Sequence, residues 1–132
     1  MPKKILLIDD EELITRTLAN ALEKNGYEVL VAKSGSDAIV IAEEEDFDLI
    51  VSDIRMPGLS GVEAVKEVLE IFKNRGVRKI PTIFVTGYAD QKVEAAAKTL
   101  NPHAYLYKPF DYPEFMKKVK EALKEAPGQD GD

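Results

Sequence analysis

Four apolar runs in the chain each end on polar side chains suited to holding a phosphoryl group. Carboxylates can ligate a cation or act as nucleophiles, a hydroxyl can donate to a phosphoryl oxygen, and an ammonium can neutralise its charge. If the runs are parallel strands of one sheet, their carboxyl ends meet at the edge where open α/β sheets bind ligands. The common position of these side chains at strand ends therefore indicates a ligand site. These side chains are Asp9 and Asp10 after residues 4–8, Asp53 after 47–52, Thr86 after 80–85 and Lys108 after 103–107.

Three of these carboxylates would lie close together at adjacent strand ends. Repulsion among Asp9, Asp10 and Asp53 requires a cation nearby. Lys108 supplies one positive charge, and solvent can supply Mg²⁺, which binds through one or two carboxylates, phosphate oxygens and waters. Asp53 ends the most apolar run, where a charge is costly unless it serves a purpose. We interpret Asp53 as a nucleophile able to form an aspartyl phosphate, with an Asx-turn residue as the alternative.

Thr86 and Lys108 complete the candidate site. Gly87 follows Thr86 and removes bulk, so that the backbone can approach a ligand. Lys108 ends a buried strand and needs a counter-charge, for which Asp53 is the candidate. A cis peptide at Pro109 would aim the lysine inward, although most X-Pro bonds are trans. The acids that follow Asp10, Glu11 and Glu12, are interpreted as helix-start residues that favour the helix dipole.

The composition limits the alternatives. The 132 residues suffice for one domain, and an apolar content of 45% is ordinary for a globular protein. The absence of cysteine and the single histidine, His103, exclude a disulfide framework and a multi-histidine metal site, so that any metal is held by oxygens. A net charge of -6 argues against direct nucleic-acid binding. No run is long enough to span a bilayer and the start does not resemble a signal peptide, so we expect a cytoplasmic protein without membrane contact.

Strand-like and helix-like segments alternate with short breaks, which is typical of βα units on a parallel sheet. We predict a doubly wound α/β fold, with helices on both faces of a five-stranded parallel sheet. We expect the flavodoxin-like strand order 2-1-3-4-5, which is common among doubly wound folds. The fourth helix, about 91–100, consists mostly of small or charged residues and should pack less firmly than the others. We expect one domain, 1–126, and a tail, 127–132, that is disordered or begins a linker.

Together these motifs resemble a response-regulator receiver domain, and the likeness covers the chain from Lys3 to about Glu125. Each motif alone is modest, but all of them in this order and spacing are highly specific. The motifs are Ile8-Asp9-Asp10, Asp53-Ile-Arg-Met-Pro-Gly58 with Gly61, Thr86-Gly87, and Tyr105-Leu-Tyr-Lys-Pro-Phe110.

The resemblance implies a phosphorylation switch. Asp53 would take a phosphoryl group from the phosphohistidine of a histidine kinase or from a phosphotransfer protein. Thr86 and Tyr105 would form a switch pair that alters the surface of the fourth helix, fifth strand and fifth helix, to which a downstream protein or an effector domain of the same chain binds. The spacing alone instead favours Tyr105 as an aromatic side chain half-buried against a helix. The implied site has Lys108 on a phosphoryl oxygen and Mg²⁺ held by Asp10, Asp53, the backbone carbonyl of Arg55 and, through water, Asp9.

Two features depart from, or vary within, this family. Asn101-Pro102 replaces a frequent Gly-Ala pair, and asparagine tolerates a left-handed turn better than most residues. Arg55 and Tyr88 each lie two residues after a site residue, where the family varies. We hypothesise that these two bulky side chains shield an aspartyl phosphate from water.

Three alternatives remain open at this stage. Phosphatases of the haloacid dehalogenase type also use an aspartyl nucleophile, but they place an acid where this chain has Arg55, and their metal-binding acids come late in the chain. A receiver-shaped interaction module would never be phosphorylated. A longer transcription regulator would carry its DNA-binding effector domain beyond Ala126.

Overall fold

The computed structural model describes residues 2–77 and 79–124, and within them five strands alternate with five helices. Residues 125 and 126 and the predicted tail, 127–132, lie outside the described residues. The strands are β1 (Lys4–Ile8), β2 (Glu28–Ala32), β3 (Leu49–Asp53), β4 (Thr82–Thr86) and β5 (Ala104–Tyr107). The helices are α1 (Glu12–Lys24), α2 (Gly35–Glu44), α3 (Gly61–Asn74), α4 (Gln91–Lys98) and α5 (Tyr112–Ala122).

The strands form one parallel sheet in the order β2-β1-β3-β4-β5, which confirms the predicted doubly wound fold. The ladder between β3 and β4 pairs Asp53 with Val85, so that β3 ends on Asp53 itself. Likewise, β4 ends on Thr86. Both strands end one residue later than the sequence predicts, because ladder pairing with a neighbouring strand sets a strand end and is not visible in the apolar run.

Alternation along the strands divides the core into two layers, one on each face of the sheet. In β1, Ile5 and Leu7 face α1 and α5, where Leu22 and Phe115 are buried. Leu6 and the other alternate positions face α2 and α3. Every described residue of β3 and β4 is buried, as is typical of central strands that are covered on both sides. None of the helices in the described ranges is long and apolar enough to cross a membrane.

The loop between β3 and α3 folds back onto the end of β3. Ser60 opens α3 with a capping box, in which its hydroxyl accepts from the N–H of Glu63 and the Glu63 carboxylate accepts from the N–H of Ser60. The N–H of Gly61 donates to the carbonyl of Ile54 at 2.8 Å. A Cβ at Gly61 would lie 1.7 Å from the carbonyl oxygen of Asp53, so this position cannot carry a side chain without moving the strand end.

The connection from α4 to β5 contains the left-handed turn anticipated at Asn101, which has φ 50°. The ammonium of Lys79 donates to the carbonyl of Asn101 at 3.1 Å and also to the carbonyl of Leu100. The C-terminal end of α4 is therefore fixed by a side chain from outside the helix.

Replacing Gly61 with alanine should lower the free energy of unfolding by about 1–3 kcal/mol, because the added methyl group overpacks against the Asp53 carbonyl. Urea unfolding would measure the loss. The matched control is Gly87→Ala, whose Cβ meets nothing closer than the Lys108 Cβ at 3.9 Å. Equal midpoints for Gly61→Ala and wild type would contradict the close packing.

Candidate functional site

Side chains that follow three of the four apolar runs meet at the carboxyl edge of the sheet. Ligand oxygens of Asp9, Asp10 and Asp53 all lie within 4.8 Å of one another. Asp9 and Asp53 are buried, whereas Asp10 is exposed at the mouth of the cluster. The Nζ of Lys108 lies 3.1 Å from Oδ2 of Asp9 and 3.5 Å from Oδ2 of Asp53. The sheet therefore gathers three carboxylates and one ammonium in a single crevice.

Lys108 has more partners than the sequence indicated. Its nearest carboxylate is that of Asp9, not of Asp53, and Glu11 also pairs with it at 3.4 Å. Glu11 is the N-cap of α1, as expected of a helix-start acid, but its ion pair with Lys108 shows that this is not its whole role. Burial disfavours the charge on Lys108, but the charges of Asp9 and Asp53 outweigh burial and raise the pKa of the ammonium above its ordinary value.

The carboxylate of Asp53 is held at one oxygen and available at the other. Its Oδ1 accepts from the N–H of Ile54 at 2.8 Å, and its Oδ2 faces the ammonium of Lys108. Burial and then the charge of Asp9 raise the pKa of Asp53 from 3.8 to about 6, against the opposing effects of Lys108 and the Ile54 hydrogen bond. The site is therefore short of positive charge.

This donor set fits Mg²⁺. The carboxylates of the cluster Asp9, Asp10 and Asp53 supply only hard oxygen ligands, which Mg²⁺ prefers. The raised pKa of Asp53 shows that the cluster would be stabilised by added positive charge. The exposed position of Asp10 leaves one side open, as a cation that keeps part of its water shell requires.

Thr86 is buried and its hydroxyl is engaged locally. It accepts from the N–H of Tyr88 at 3.2 Å and donates to the carbonyl of the same residue at 3.3 Å. Gly87 lies between them, and a Cβ there would make only ordinary contact with Lys108. The chain itself would thus accommodate a small side chain at Gly87, and the close approach of a ligand to the backbone there stays a prediction.

Tyr105 is a half-buried aromatic, as its spacing predicts. Its ring centroid lies 6.3 Å from that of Phe84 and 5.4 Å from that of Tyr107. The hydroxyl of Tyr105 is buried and has no hydrogen-bond partner among the described residues. The hydroxyl of its neighbour Tyr107 donates to Glu94 on α4.

The two bulky residues expected beside the site lie against each other. The guanidinium of Arg55 stacks over the ring of Tyr88, 4.0 Å from its centroid, and both side chains are exposed. The peptide bond between Lys108 and Pro109 is cis, as the sequence analysis considered. His103 pairs with Glu121 at 3.2 Å on the β5–α5 surface, in keeping with a surface histidine.

A family model described as response regulator receiver domain matches residues 5–120. The chain belongs to this family of two-component signalling proteins. It is 32% identical to the polar-differentiation response regulator DivK of Brucella anthropi over 126 residues, covering 96% of this chain and 100% of DivK. A CheY-like receiver domain protein from Methanospirillum hungatei JF-1 superposes with a TM-score of 0.86 at 29% identity, covering 94% of this chain and 95% of that one. Chemotaxis protein CheY4 of Vibrio cholerae superposes with a TM-score of 0.82 at 28% sequence identity, and the match covers 93% of this chain and 100% of CheY4.

Replacing Asp53 with asparagine should stabilise the receiver domain at neutral pH in the absence of divalent cations, by up to about 3 kcal/mol. The folded-state pKa of about 6 lies above the ordinary 3.8, so the carboxyl group is protonated in both states below pH 3.8 and destabilises the folded state as pH rises through 6. The difference between variant and wild type should therefore be absent in acid and full above pH 6. Thermal unfolding across this pH range measures it.

The control for this prediction is Glu67→Gln, which removes one exposed charge from α3. It should show no such pH-dependent difference. Millimolar Mg²⁺ should narrow the gap between wild type and Asp53→Asn, because a bound cation offsets the repulsion. A variant that is no more stable than wild type at any pH would show that the charge of Asp53 is already compensated.

Proposed function

We propose that this receiver domain is a phosphoacceptor switch in which Asp53 takes a phosphoryl group from the phosphohistidine of a histidine kinase or a phosphotransfer protein. The observation that carries the proposal is the buried Asp53 carboxylate at the end of β3, with Asp9 and Lys108 beside it. Membership of the receiver family supports the choice of phosphodonor. The reaction depends on Mg²⁺.

The geometry favours one oxygen of Asp53 as the nucleophile. Because the N–H of Ile54 holds Oδ1, the attack on phosphorus falls to Oδ2, on the side of Lys108. A P–O bond forms as the P–N bond breaks, and the electron pair of that bond leaves with the imidazole of the donor. Lys108 then moves from Asp9 and Glu11 onto a phosphoryl oxygen and offsets its charge.

The same proposal assigns the metal ligands. Asp10, Asp53 and the backbone carbonyl of Arg55 would hold Mg²⁺ directly, and Asp9 would hold it through water. When bound, Mg²⁺ neutralises negative charge on the phosphoryl oxygens. Asp9 also keeps Lys108 in place, since its Oδ2 is the nearest partner of the ammonium.

The proposed switch begins when the Thr86 hydroxyl moves toward the phosphoryl group on Asp53. The hydroxyl of Thr86 exchanges its bonds to the Tyr88 backbone, 3.2 and 3.3 Å long, for one to a phosphoryl oxygen. Tyr105 then rotates into the vacated space, and its buried hydroxyl, unpartnered among the described residues, gains a new environment. The surface of α4, β5 and α5 changes, and a downstream protein or an effector domain of the same chain reads that change.

Two other functions compete with this proposal. A phosphatase of the haloacid dehalogenase type needs a general acid at position 55, where Arg55 instead stacks on Tyr88. The proposed domain catalyses only its own phosphorylation and dephosphorylation and turns over no separate ester substrate. A receiver that works without phosphorylation remains the second candidate, because its fold would be identical.

Incubation with acetyl phosphate and Mg²⁺ should add the mass of one phosphoryl group to wild type and none to Asp53→Ala, because alanine lacks the nucleophile. Intact-protein mass spectrometry measures the change. Omission of Mg²⁺ should prevent the gain. A gain that persists in Asp53→Ala would refute the site, and no gain in wild type would favour the interaction module that works without phosphorylation.

Replacing Tyr88 with alanine should speed the loss of the phosphoryl group about two- to fivefold. The variant loses the stack with Arg55, an exposed cation–π contact worth about 0.5–1 kcal/mol, and opens the site to water. The rate is measured by following phosphoprotein after removal of the donor. Tyr112→Ala removes an exposed tyrosine outside this stack and should leave the rate unchanged. An unaltered rate of phosphoryl loss in Tyr88→Ala would contradict the hypothesis that Arg55 and Tyr88 shield the aspartyl phosphate from water.

A further inference from the structure

Helix α4 is held to the sheet by few buried side chains. Among the described residues of α4, only Ala97 is buried, while Val93 is partly buried against the core. This confirms the weak packing that the small and charged residues of the helix predict. A helix with so little buried apolar surface depends on polar contacts for its position.

One such contact joins the middle of α4 to β5. The hydroxyl of Tyr107 donates to Oε1 of Glu94, and Oε2 of the same carboxylate pairs with Lys98 at 3.0 Å. The Tyr107 side chain is 44% exposed, so its ring lies over the outside of the sheet while its hydroxyl is anchored on the helix. The hydrogen bond to Glu94 raises the pKa of Tyr107 to about 12.

Tyr105 lies directly beneath this contact. Its ring meets that of Tyr107 edge-on, at 5.4 Å and an interplanar angle of 64°. Burial, then the negative charges of Glu94 and Asp90, raise the pKa of the Tyr105 hydroxyl. Among the described residues that hydroxyl has no hydrogen-bond partner. If Tyr105 moved outward, its hydroxyl would gain hydration and its ring would lose the contact with Tyr107.

We propose that Tyr107 and Glu94 form a clasp that closes over Tyr105 and holds α4 against β5 in the unphosphorylated domain. The clasp deepens the proposed function and rests on it, because it sets the resistance that phosphorylation of Asp53 has to overcome before the output surface rearranges. Tyr107 and Glu94 are positioning residues, since they act through Tyr105 and α4 and do not touch the site.

The two ends of α4 are secured independently of the clasp. The carboxylate of Asp90 caps the first turn by accepting from the N–H groups of Lys92 and Val93. Lys79 holds the carbonyls of Leu100 and Asn101 beyond the last turn. Opening the clasp should therefore let the backbone hydrogen bonds of α4 open transiently more often, while the contacts at the two ends of the helix persist.

Hydrogen exchange of the unphosphorylated full chain tests the clasp. Tyr107→Phe keeps the ring but removes the hydrogen bond, and it should accelerate exchange of the amides of residues 91–98 about three- to tenfold. Amides of the central strands β1 and β3 should be unaffected. Tyr112→Phe, which removes a hydroxyl from another exposed tyrosine, is the matched control and should change nothing in α4.

A comparison of the single and double variants tests whether Tyr107 and Glu94 act together or independently. Glu94→Ala should accelerate exchange in α4 as well, and Tyr107→Phe combined with Glu94→Ala should add little to either single change. In protein labelled with 3-fluorotyrosine, the Tyr105 signal, assigned with Tyr105→Phe, should shift toward that of a solvent-exposed ring when the clasp is removed.

The clasp is overturned if α4 exchanges at the wild-type rate in Tyr107→Phe, if Tyr112→Phe accelerates it equally, or if the two clasp variants are additive. All of these readings are made without phosphorylation. A failure of Asp53 to accept a phosphoryl group would therefore refute the proposed function without contradicting the contact between Tyr107 and Glu94. Unchanged exchange in α4 would refute the clasp without contradicting the phosphorylation of Asp53.

Discussion

The repulsion among three carboxylates at one edge of a parallel sheet is the constraint on which the rest of the structure depends. Asp9, Asp10 and Asp53 share a space less than 5 Å across, and within the described residues Lys108 is the ammonium that meets them. Burial first, and then the charge of Asp9, raise the pKa of Asp53. A domain with this surplus of negative charge gains stability from any added cation. Its carboxylate oxygens are compatible with Mg²⁺, the cation that the proposed phosphorylation of Asp53 would require.

The fold maintains this repulsion by burying the strands that carry the acids. The central strands β1, β3 and β4 are covered on both faces, so the end of each strand has little freedom to move away from its neighbours. Gly61 brings the start of α3 against the carbonyl of Asp53 and fixes the strand end from the other side. Each large side chain that is fully buried contributes about 1.5–3 kcal/mol, so the two apolar layers can offset the cost of the crowded acids.

The carboxyl ends of β4 and β5 lie between the site and the proposed output surface. Thr86 ends β4 with its hydroxyl bonded to the backbone of Tyr88, and Tyr105 lies on the adjacent strand beneath Tyr107. The contact between Tyr107 and Glu94 extends this series to α4, the helix with the least buried surface. The proposed switch would therefore act on a surface whose helix α4 has a single buried residue, Ala97, among those described.

The sequence by itself determined the α/β class, the alternation of the elements and the residues at the strand ends, because alternating burial and Gly, Pro and capping signals are local. It also indicated the family, whose strand order the structure then showed. Only the tertiary structure decided which charges meet. The partner of Lys108 was expected to be Asp53, but Asp9 is closer and Glu11 joins it, because contacts between residues about a hundred positions apart depend on strand register and loop path. For the same reason the stack of Arg55 on Tyr88 and the bond from Tyr107 to Glu94 have no signature in the sequence.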